Sequence, residues 1–376
     1  RYPAMADPLT ALDHYRLLGR SGLRVSPLCL GGMTMGTEWG FGSDEEECRR
    51  IVELFIENGG NFFDTASTFT EGTSEIMLGK LLAQHRSRAV ISTKYGGSTQ
   101  RGNPNAGGNH RKSLVQSLDQ SLKRMNLDCV DLLYVHIWEH RTPVEEVMRS
   151  LDDVVRGGKA MYIAVSDTVA WKISEANTLA RLSGWTPFVA VQTQYSLIER
   201  TADRDILPMA RELDLGVVPW GPLGQGLLTG KYNHISVDEQ QEMLTAIEDA
   251  PSRFDAGKRL GIDTLRSRVV LDSWSDKNCA IALAAGDIAA EVGQSSAQVA
   301  LNWVLQQPGV TSPAVGVRTV TQLREIIDSL SFTLTPAQLE HLDEASRVDL
   351  GFPQRWHGGH NLQDGGCMID DGSMRR

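Results

Sequence analysis

The stretch from Ala89 to His136 begins with an apolar strand, AVISTK, and ends with a second apolar strand, VDLLYVH. A helical pattern at Arg111–Met125 separates the two strands. Neither strand alternates apolar with polar residues, which is typical of parallel strands that are buried on both faces. The stretch therefore predicts one βαβ unit, in which a helix joins two parallel neighbours.

The same alternation of strand and helix extends in both directions from this unit. Eight strand-like runs follow one another from Pro27 onward, and each precedes a helical pattern. A doubly wound sheet should carry a G-x-G-x-x-G fingerprint after its first strand, and Gly31-Gly32-Met33-Thr34 lacks one. We therefore expect an α/β fold of the (β/α)8 TIM-barrel type. The runs are PLCLGG (from 27), NFFDTA (61), AVISTK (89), VDLLYVH (130), AMYIAVS (160), FVAVQTQY (188), GVVPW (216) and VTSPAVGV (310).

The remaining segments lie outside this repeat. Apolar positions around the Ser21-Gly22 turn in residues 16–26 predict a β-hairpin that precedes the barrel. Residues 1–15 are expected to be tag-like or disordered, 16–350 to form the barrel, and 351–376 to be a flexible tail. The irregular segment at 233–276 is interpreted as a long insertion after strand seven. It should lie over the C-terminal face of the barrel.

Composition excludes several classes of protein. The chain has 376 residues, of which 41% are hydrophobic and 22% charged, as in ordinary soluble domains. A net charge of -10 argues against nucleic-acid binding. Five scattered cysteines without metal-ligand spacing indicate neither a disulfide framework nor a metal site, and favour a cytoplasmic protein. No apolar run approaches the ~20 residues that a membrane helix needs.

Polar residues mark the ends of several predicted strands. Asp64, Lys94 and His136 end the second, third and fourth strands, and Gln192 lies in the sixth. Because the carboxyl ends of barrel strands meet at one mouth, these side chains are expected to converge there. Taken alone, each has a structural explanation, such as a helix cap or a surface lysine. Together they point to a candidate active site.

The chain from Arg16 to Val348 resembles the aldo-keto reductase family. It is similar above all to the branch of bacterial and fungal reductases and the β subunits of voltage-gated potassium channels. The motifs that carry the resemblance, in order, are NFFDTA, TSEIMLGKLL, ISTKYG, LDCVDLLYVH, VAVQTQYS, VVPWGPLGQGLLTGKY and AVGVRTVTQL.

The resemblance implies a catalytic set of Asp, Tyr, Lys and His. Asp64, Lys94 and His136 match three of these positions, but Phe69 stands where the tyrosine is expected, five residues after the aspartate. The implied reaction transfers hydride from NADPH to a carbonyl carbon while the tyrosine protonates the oxygen. Phe69 has no hydroxyl, and a missing general acid costs about 10²–10⁴ in rate.

Three explanations of Phe69 stay open. It is an introduced substitution in an ordinary reductase, a natural residue in an enzyme that uses another acid, or the mark of a non-reductive NADPH-binding protein. The corresponding functions are a carbonyl reductase with impaired turnover, a cofactor-sensing interaction protein like the channel β subunits, or an enzyme of dehydration or isomerisation.

The resemblance also implies the cofactor, NADPH/NADP+, and the residues that hold it. Ser166 and Gln192 would bind the nicotinamide carboxamide, and Tyr195 would stack on its ring. Arg318 would grip the 2′-phosphate, which favours NADPH over NADH. Where many relatives have Asn or Arg, Asp167 follows Ser166. The full set is Gly32, Met33, Ser166, Gln192, Tyr195, Trp220, Gly221, Pro222, Leu223, Gly226, Lys231, Arg253, Gly316, Arg318, Gln322 and Glu325.

The substrate side is expected to be aromatic. Trp39, Phe41 and Trp138 fall in loops that follow strands, where they would line an apolar pocket above the nicotinamide. The expected ligand is a small aldehyde or ketone. No metal, nucleic acid or membrane span is expected, and a homo-oligomer stays open.

Overall fold

A computed structural model describes residues 11–231 and 273–354 of the chain. Within them, eight parallel strands close into a barrel, and a two-stranded antiparallel hairpin precedes it. This confirms the predicted architecture. The hairpin strands are β1 (Arg16–Leu17) and β2 (Arg24–Val25), and the barrel strands are β3 (Cys29–Gly31), β4 (Phe62–Asp64), β5 (Val90–Tyr95), β6 (Val130–Val135), β7 (Ala160–Ser166), β8 (Phe188–Gln194), β9 (Gly216–Trp220) and β10 (Ala314–Val315).

Helices follow the strands around the outside of the barrel. The helix predicted at Arg111–Met125 is observed with the same bounds. Ser275 caps the helix that begins at Asp276, because its side chain accepts from the backbone N–H of Asn278. The helices are α1 (Glu45–Glu57), α2 (Thr73–Leu82), α3 (Arg111–Met125), α4 (Val144–Arg156), α5 (Ala170–Ser183), α6 (Ile206–Leu213), α7 (Asp276–Val292), α8 (Ser296–Leu305), α9 (Val320–Asp328) and α10 (Pro336–Ala345).

Two separate hydrophobic cores hold the barrel together. The larger one lies between the strands and the surrounding helices and includes Phe55, Phe63 and Trp303. The smaller one fills the barrel interior, where Phe62 and Tyr134 are fully buried. Neighbouring residues Phe62 and Phe63 belong to different cores because successive side chains of a strand point to opposite faces.

The N-terminal hairpin closes the end of the barrel opposite the strand carboxyl ends. Leu18 and Val25 belong to the interior core. Residues 11–15 also pack on the barrel, since Leu12 is fully buried and the Tyr15 hydroxyl donates to the carbonyl of Gly59 at 2.9 Å. The packed part therefore begins before Arg16, earlier than the sequence predicts.

Several sequence predictions fall on residues 1–10, 232–272 and 355–376. Arg253, most of the insertion, the first ten residues and nearly all of the C-terminal tail lie outside the described residues. Across the two described ranges, no helix is both long and apolar enough to cross a membrane. Within the same ranges, no group of His, Cys, Asp or Glu is arranged to hold a metal ion.

Candidate active site

The polar strand ends meet at one mouth of the barrel. Asp64 pairs in register with Ser92 between β4 and β5, and Ser166 pairs with Gln192 between β7 and β8. Parallel strands bring their carboxyl ends to the same side, so side chains far apart in the sequence become neighbours. The predicted convergence of Asp64, Lys94 and Gln192 is therefore observed directly.

A buried ion pair lies at the centre of this mouth. The ammonium of Lys94 contacts Oδ2 of Asp64 and donates to the carbonyl of Thr65 at 2.9 Å. The other carboxylate oxygen, Oδ1, accepts from the Ser92 hydroxyl at 2.6 Å, and Gln192 Nε2 donates to Oδ2 at 3.2 Å. A buried ion pair is tolerated when its remaining polar atoms are also satisfied, as they are for this carboxylate.

The ring of Phe69 lies directly over this pair. Its centroid is 5.1 Å from Nζ of Lys94, which is within the range of a cation–π interaction. The imidazole of His136 meets the ring edge-to-face with centroids 5.9 Å apart, and Trp39 does the same at 6.4 Å. Phe69 thus occupies a half-buried position between a lysine, a histidine and an aromatic loop residue.

His136 is held in its neutral form. Burial and the positive charge of Lys94 lower its pKa to about 4, against a smaller opposing effect of Asp64. At neutral pH the imidazole is therefore uncharged. A neutral imidazole keeps one N–H donor and one acceptor, so it can hydrogen-bond a carbonyl oxygen without carrying charge.

The backbone after Phe69 takes an unusual conformation. Thr70 has φ 45° and ψ 44°, and Glu71 has φ 58°, both in the left-handed region that β-branched residues avoid. Hydrogen bonds hold Thr70 there: its hydroxyl donates to the Met35 carbonyl at 2.8 Å and accepts from the Ser74 N–H at 3.0 Å. A strained backbone conformation persists only where surrounding contacts hold it. The two hydrogen bonds of Thr70 therefore also hold the neighbouring residue, Phe69, in place.

The aromatic residues expected on the substrate side divide into two groups. Trp39 and Phe41 contact each other with ring centroids 6.1 Å apart and stay half-buried beside Phe69. Trp138 instead lies in the outer core, edge-to-face with Phe188 and under the ammonium of Lys172. The predicted substrate role of Trp138 stays a prediction, and the structure shows its ring packed in the outer core.

Tyr195, for which a stacking role on the nicotinamide is predicted, also packs in the outer core. Its ring is fully buried and stacks on Trp303, with centroids 5.5 Å apart and an interplanar angle of 28°. Its hydroxyl donates to Asp203 at 2.8 Å. Trp220 is the last residue of β9, the strand that neighbours β8, and its side chain is half-exposed. The sequence signal that favours Trp220 is its place as the last residue of an apolar strand.

A Tyr195→Leu variant tests whether Tyr195 contacts the cofactor, because phenylalanine would keep the ring that stacking needs. We expect unchanged affinity for NADPH, because the ring is buried against Trp303. We also expect a loss of about 2–4 kcal/mol in the free energy of unfolding, because the variant loses part of a buried side chain and the hydrogen bond to Asp203. Urea denaturation and fluorescence titration with NADPH would measure both quantities. A clear loss of NADPH affinity would support the stacking role.

Two buried polar atoms fit a bound dinucleotide. Eleven buried side-chain polar atoms of the described residues lack a well-formed hydrogen bond, and Nε of Arg318 and Oγ of Ser166 are two of them. Oγ of Ser166 lies within the electrostatic reach of the Asp167 carboxylate, so it is less isolated than Nε of Arg318. Buried polar groups are normally paired, so both atoms have capacity for a ligand. Ser166 lies beside Gln192 in the sheet. Both residues could therefore contact the same carboxamide group of a nicotinamide ring.

The loop after β9 has the backbone that close approach to a phosphate requires. Gly221, Gly226 and Gly230 all have positive φ, and Gln225 between them has φ 58°. Successive left-handed residues turn backbone N–H groups toward one side and create anion-binding concavities. Pro222 is buried, Leu223 packs against the outer core and Lys231 is exposed at the end of the loop.

The loop between β10 and α9 brings together the residues expected around the adenosine end. The N–H of Arg318 donates to Oε1 of Gln322 at 2.8 Å, and its carbonyl accepts from the Ser43 hydroxyl at 2.7 Å. Gly316 is exposed. Glu325 accepts from the hydroxyl of Ser295 at 2.6 Å, so its carboxylate is partly occupied by the cap of α8.

The remaining two expected cofactor residues lie after β3. Gly32 is buried, and a Cβ there would come within 2.6 Å of the Ser74 hydroxyl. Its carbonyl accepts from that hydroxyl at 2.8 Å, so the glycine is needed for packing against α2. Met33 is exposed at the same turn, which leaves its expected role open.

The barrel and this strand-end constellation agree with what comparison with known proteins shows. The profile of the Aldo/keto reductase family matches residues 27–347, and the chain belongs to that family. It is 35% identical to norsolorinic acid reductase of Aspergillus flavus, over 94% of this chain and 86% of the relative. It is 34% identical to a putative aryl-alcohol dehydrogenase of Saccharomyces cerevisiae, over 94% and 92% of the two chains. An aryl-alcohol dehydrogenase [NADP(+)] of Phanerodontia chrysosporium is 31% identical, over 93% and 90%.

Proposed function

We propose that this protein reduces aromatic aldehydes or ketones to alcohols with NADPH, and that Phe69 slows the proton-transfer step. The observation that carries the proposal is the buried Lys94–Asp64 pair beneath Phe69, with His136 at the ring edge. This arrangement keeps all the groups of the expected catalytic set except the proton-donating hydroxyl.

The cofactor would be bound along the carboxyl ends of β7 to β10. When bound, it supplies the hydride that the protein side chains cannot supply themselves. Ser166 and Gln192 would hold the nicotinamide carboxamide, and the glycine-rich loop after β9 would approach the pyrophosphate. Arg318 would bind the 2′-phosphate through its guanidinium, whose planar donors match phosphate oxygens.

The proton for the product oxygen has no strong protein donor at position 69. His136 is neutral because its pKa is about 4, so it would orient the carbonyl through a hydrogen bond and would not act as imidazolium. Lys94 is covered by the Phe69 ring. A water molecule hydrogen-bonded at His136 is the donor that this arrangement supports.

The aromatic side chains at the mouth of the barrel suit an aromatic substrate. Trp39, Phe41 and Phe69 present a continuous set of half-buried rings, and flat apolar rings pack well edge-to-face or offset against such a set. The names of the relatives, norsolorinic acid reductase and aryl-alcohol dehydrogenase, agree with an aromatic carbonyl or alcohol.

Phe69 also favours a second candidate function. A chain that keeps the cofactor residues but lacks the proton donor suits a dinucleotide-binding sensor that turns over poorly. The two functions share tight NADPH binding and differ in catalysis. NADPH oxidation with an aromatic aldehyde, measured for this chain and for Phe69→Tyr, separates them.

An Arg318→Ala variant tests the choice of cofactor. We expect its affinity for NADPH to fall about 10- to 100-fold, because hydrogen bonds to a charged phosphate contribute about 1.5–3 kcal/mol. Affinity for NADH should change little, because NADH has no 2′-phosphate. Titration of both dinucleotides by fluorescence measures the difference. Arg324→Ala, an exposed arginine on α9, is the matched control. Equal losses for both dinucleotides would contradict the 2′-phosphate role.

A further inference from the structure

Asp167 links three strands at the mouth of the barrel. It follows β7, and its N–H donates to the carbonyl of Gln192 in β8 at 3.0 Å. Its carboxylate oxygen Oδ1 accepts from the indole N–H of Trp220, at the end of β9, at 2.8 Å. The backbone of Asp167 has φ 44°, a left-handed conformation that Asp adopts more readily than most residues. The turn therefore aims the carboxylate across β8 at the indole.

This hydrogen bond fixes the orientation of Trp220. A tryptophan at the end of a strand would otherwise rotate about its side-chain torsions, and its N–H usually takes a partner. Held by Asp167, the half-exposed indole lies at the same strand ends as Ser166 and Gln192. It offers a flat aromatic surface where an aromatic ring of a cofactor would lie.

The carboxylate adds a charge to this surface. A nicotinamide ring carries a positive charge when oxidised and none when reduced. A fixed negative charge close to the ring therefore attracts the oxidised form and leaves the neutral reduced form almost unaffected. The same group thus has two separable effects: the hydrogen bond acts on both forms, and the charge acts on one.

We propose that Asp167 is a positioning and selectivity residue, which orients Trp220 and raises the affinity for NADP+ relative to NADPH. The inference rests on the proposed cofactor and adds to it a preference between its two oxidation states. A raised affinity for NADP+ favours alcohol oxidation and slows release of NADP+ after carbonyl reduction.

The test separates the charge from the hydrogen bond. Asp167→Asn keeps an acceptor oxygen for the indole N–H but removes the charge. We expect its affinity for NADP+ to fall about three- to tenfold, with less than about a twofold change for NADPH. Asp167→Ala removes both effects, so its affinity for both forms should fall. Dissociation constants from tryptophan fluorescence or calorimetry on the full chain measure these changes without turnover.

Asp214→Asn is the matched control. Asp214 is an exposed aspartate in the same left-handed conformation, with φ 57°, and it lies beside the N-terminal hairpin, away from the mouth. It should change neither affinity. Equal effects of Asp167→Asn on NADP+ and NADPH, or no effect on either, would overturn the inference while leaving the proposed function intact. If the unchanged chain binds neither dinucleotide, the proposed function fails as well.

Discussion

Phe69→Tyr is expected to raise the rate of NADPH-dependent carbonyl reduction about 100- to 10,000-fold, which is the usual contribution of a general acid. The ring of Phe69 already lies 5.1 Å from the ammonium of Lys94 and edge-to-face with His136. A hydroxyl on this ring would join a site that has kept its lysine and histidine. The positive charge of Lys94 would lower the pKa of the new phenol toward working pH, which makes it a better acid.

The measurement is the steady-state oxidation of NADPH with an aromatic aldehyde. Phe41→Tyr is the matched control, because it adds the same hydroxyl to another half-buried ring of the mouth. We expect no comparable gain from that variant. The gain of Phe69→Tyr should appear in kcat as well as in kcat/KM, since proton donation strengthens only in the transition state.

A null result for Phe69→Tyr would be equally informative. If the variant binds NADPH tightly but gains no turnover, the interpretation as an impaired reductase is wrong. The cofactor-sensing function would then be the better account of the same residues. If the variant gains turnover while the unchanged chain has little, the site is a reductase site that lacks only the hydroxyl at position 69.

Lys94→Met is expected to lower the free energy of unfolding by about 3–5 kcal/mol, the usual cost of removing one partner of a buried ion pair. Lys94 and Asp64 are both buried, with side-chain exposures of 1% and 5%. Methionine fills much of the same volume, so loss of packing is small. The cost arises because the carboxylate of Asp64 stays in the interior without its compensating charge.

Urea denaturation measures this loss, and Lys159→Met provides the control. Lys159 pairs with Asp119 at 2.6 Å, but the two side chains are 45% and 50% exposed. An exposed pair contributes about 1 kcal/mol or less. The double variant Asp64→Asn/Lys94→Met should be less unstable than the sum of the two single variants, because each change removes the partner of the other. Additive losses would show that the pair is not coupled.

The sequence correctly predicted that Asp64 and Lys94 meet at the mouth of the barrel. Asp64 and Lys94 each end a short apolar strand, and strand ends of a parallel barrel have one possible meeting place. The pattern could not predict how the carboxylate is satisfied. Ser92 lies two residues before Lys94 on the same face of β5, a spacing that could have identified it as a partner.

The sequence could not predict how two aromatic residues near the mouth are packed. Tyr195 and Trp138 both follow strands, as site residues do, yet both belong to the outer core. A residue just beyond a strand no longer obeys the alternation of faces, so its direction depends on the loop and on which partner packs better. Trp303 in α8 provides that partner for Tyr195, from more than one hundred residues away.

The order of strands and helices and the closure of the barrel were determined by the sequence, because they follow from local periodicity. The isolation of Phe69 among Asp64, Lys94 and His136 is instead what the resemblance to the aldo-keto reductase family implies. Only the tertiary structure decided that Trp220 faces the mouth and that Asp167 holds it through a hydrogen bond. Both features are contacts between side chains on different strands. Such contacts depend on backbone torsions and packing, which no local sequence pattern specifies.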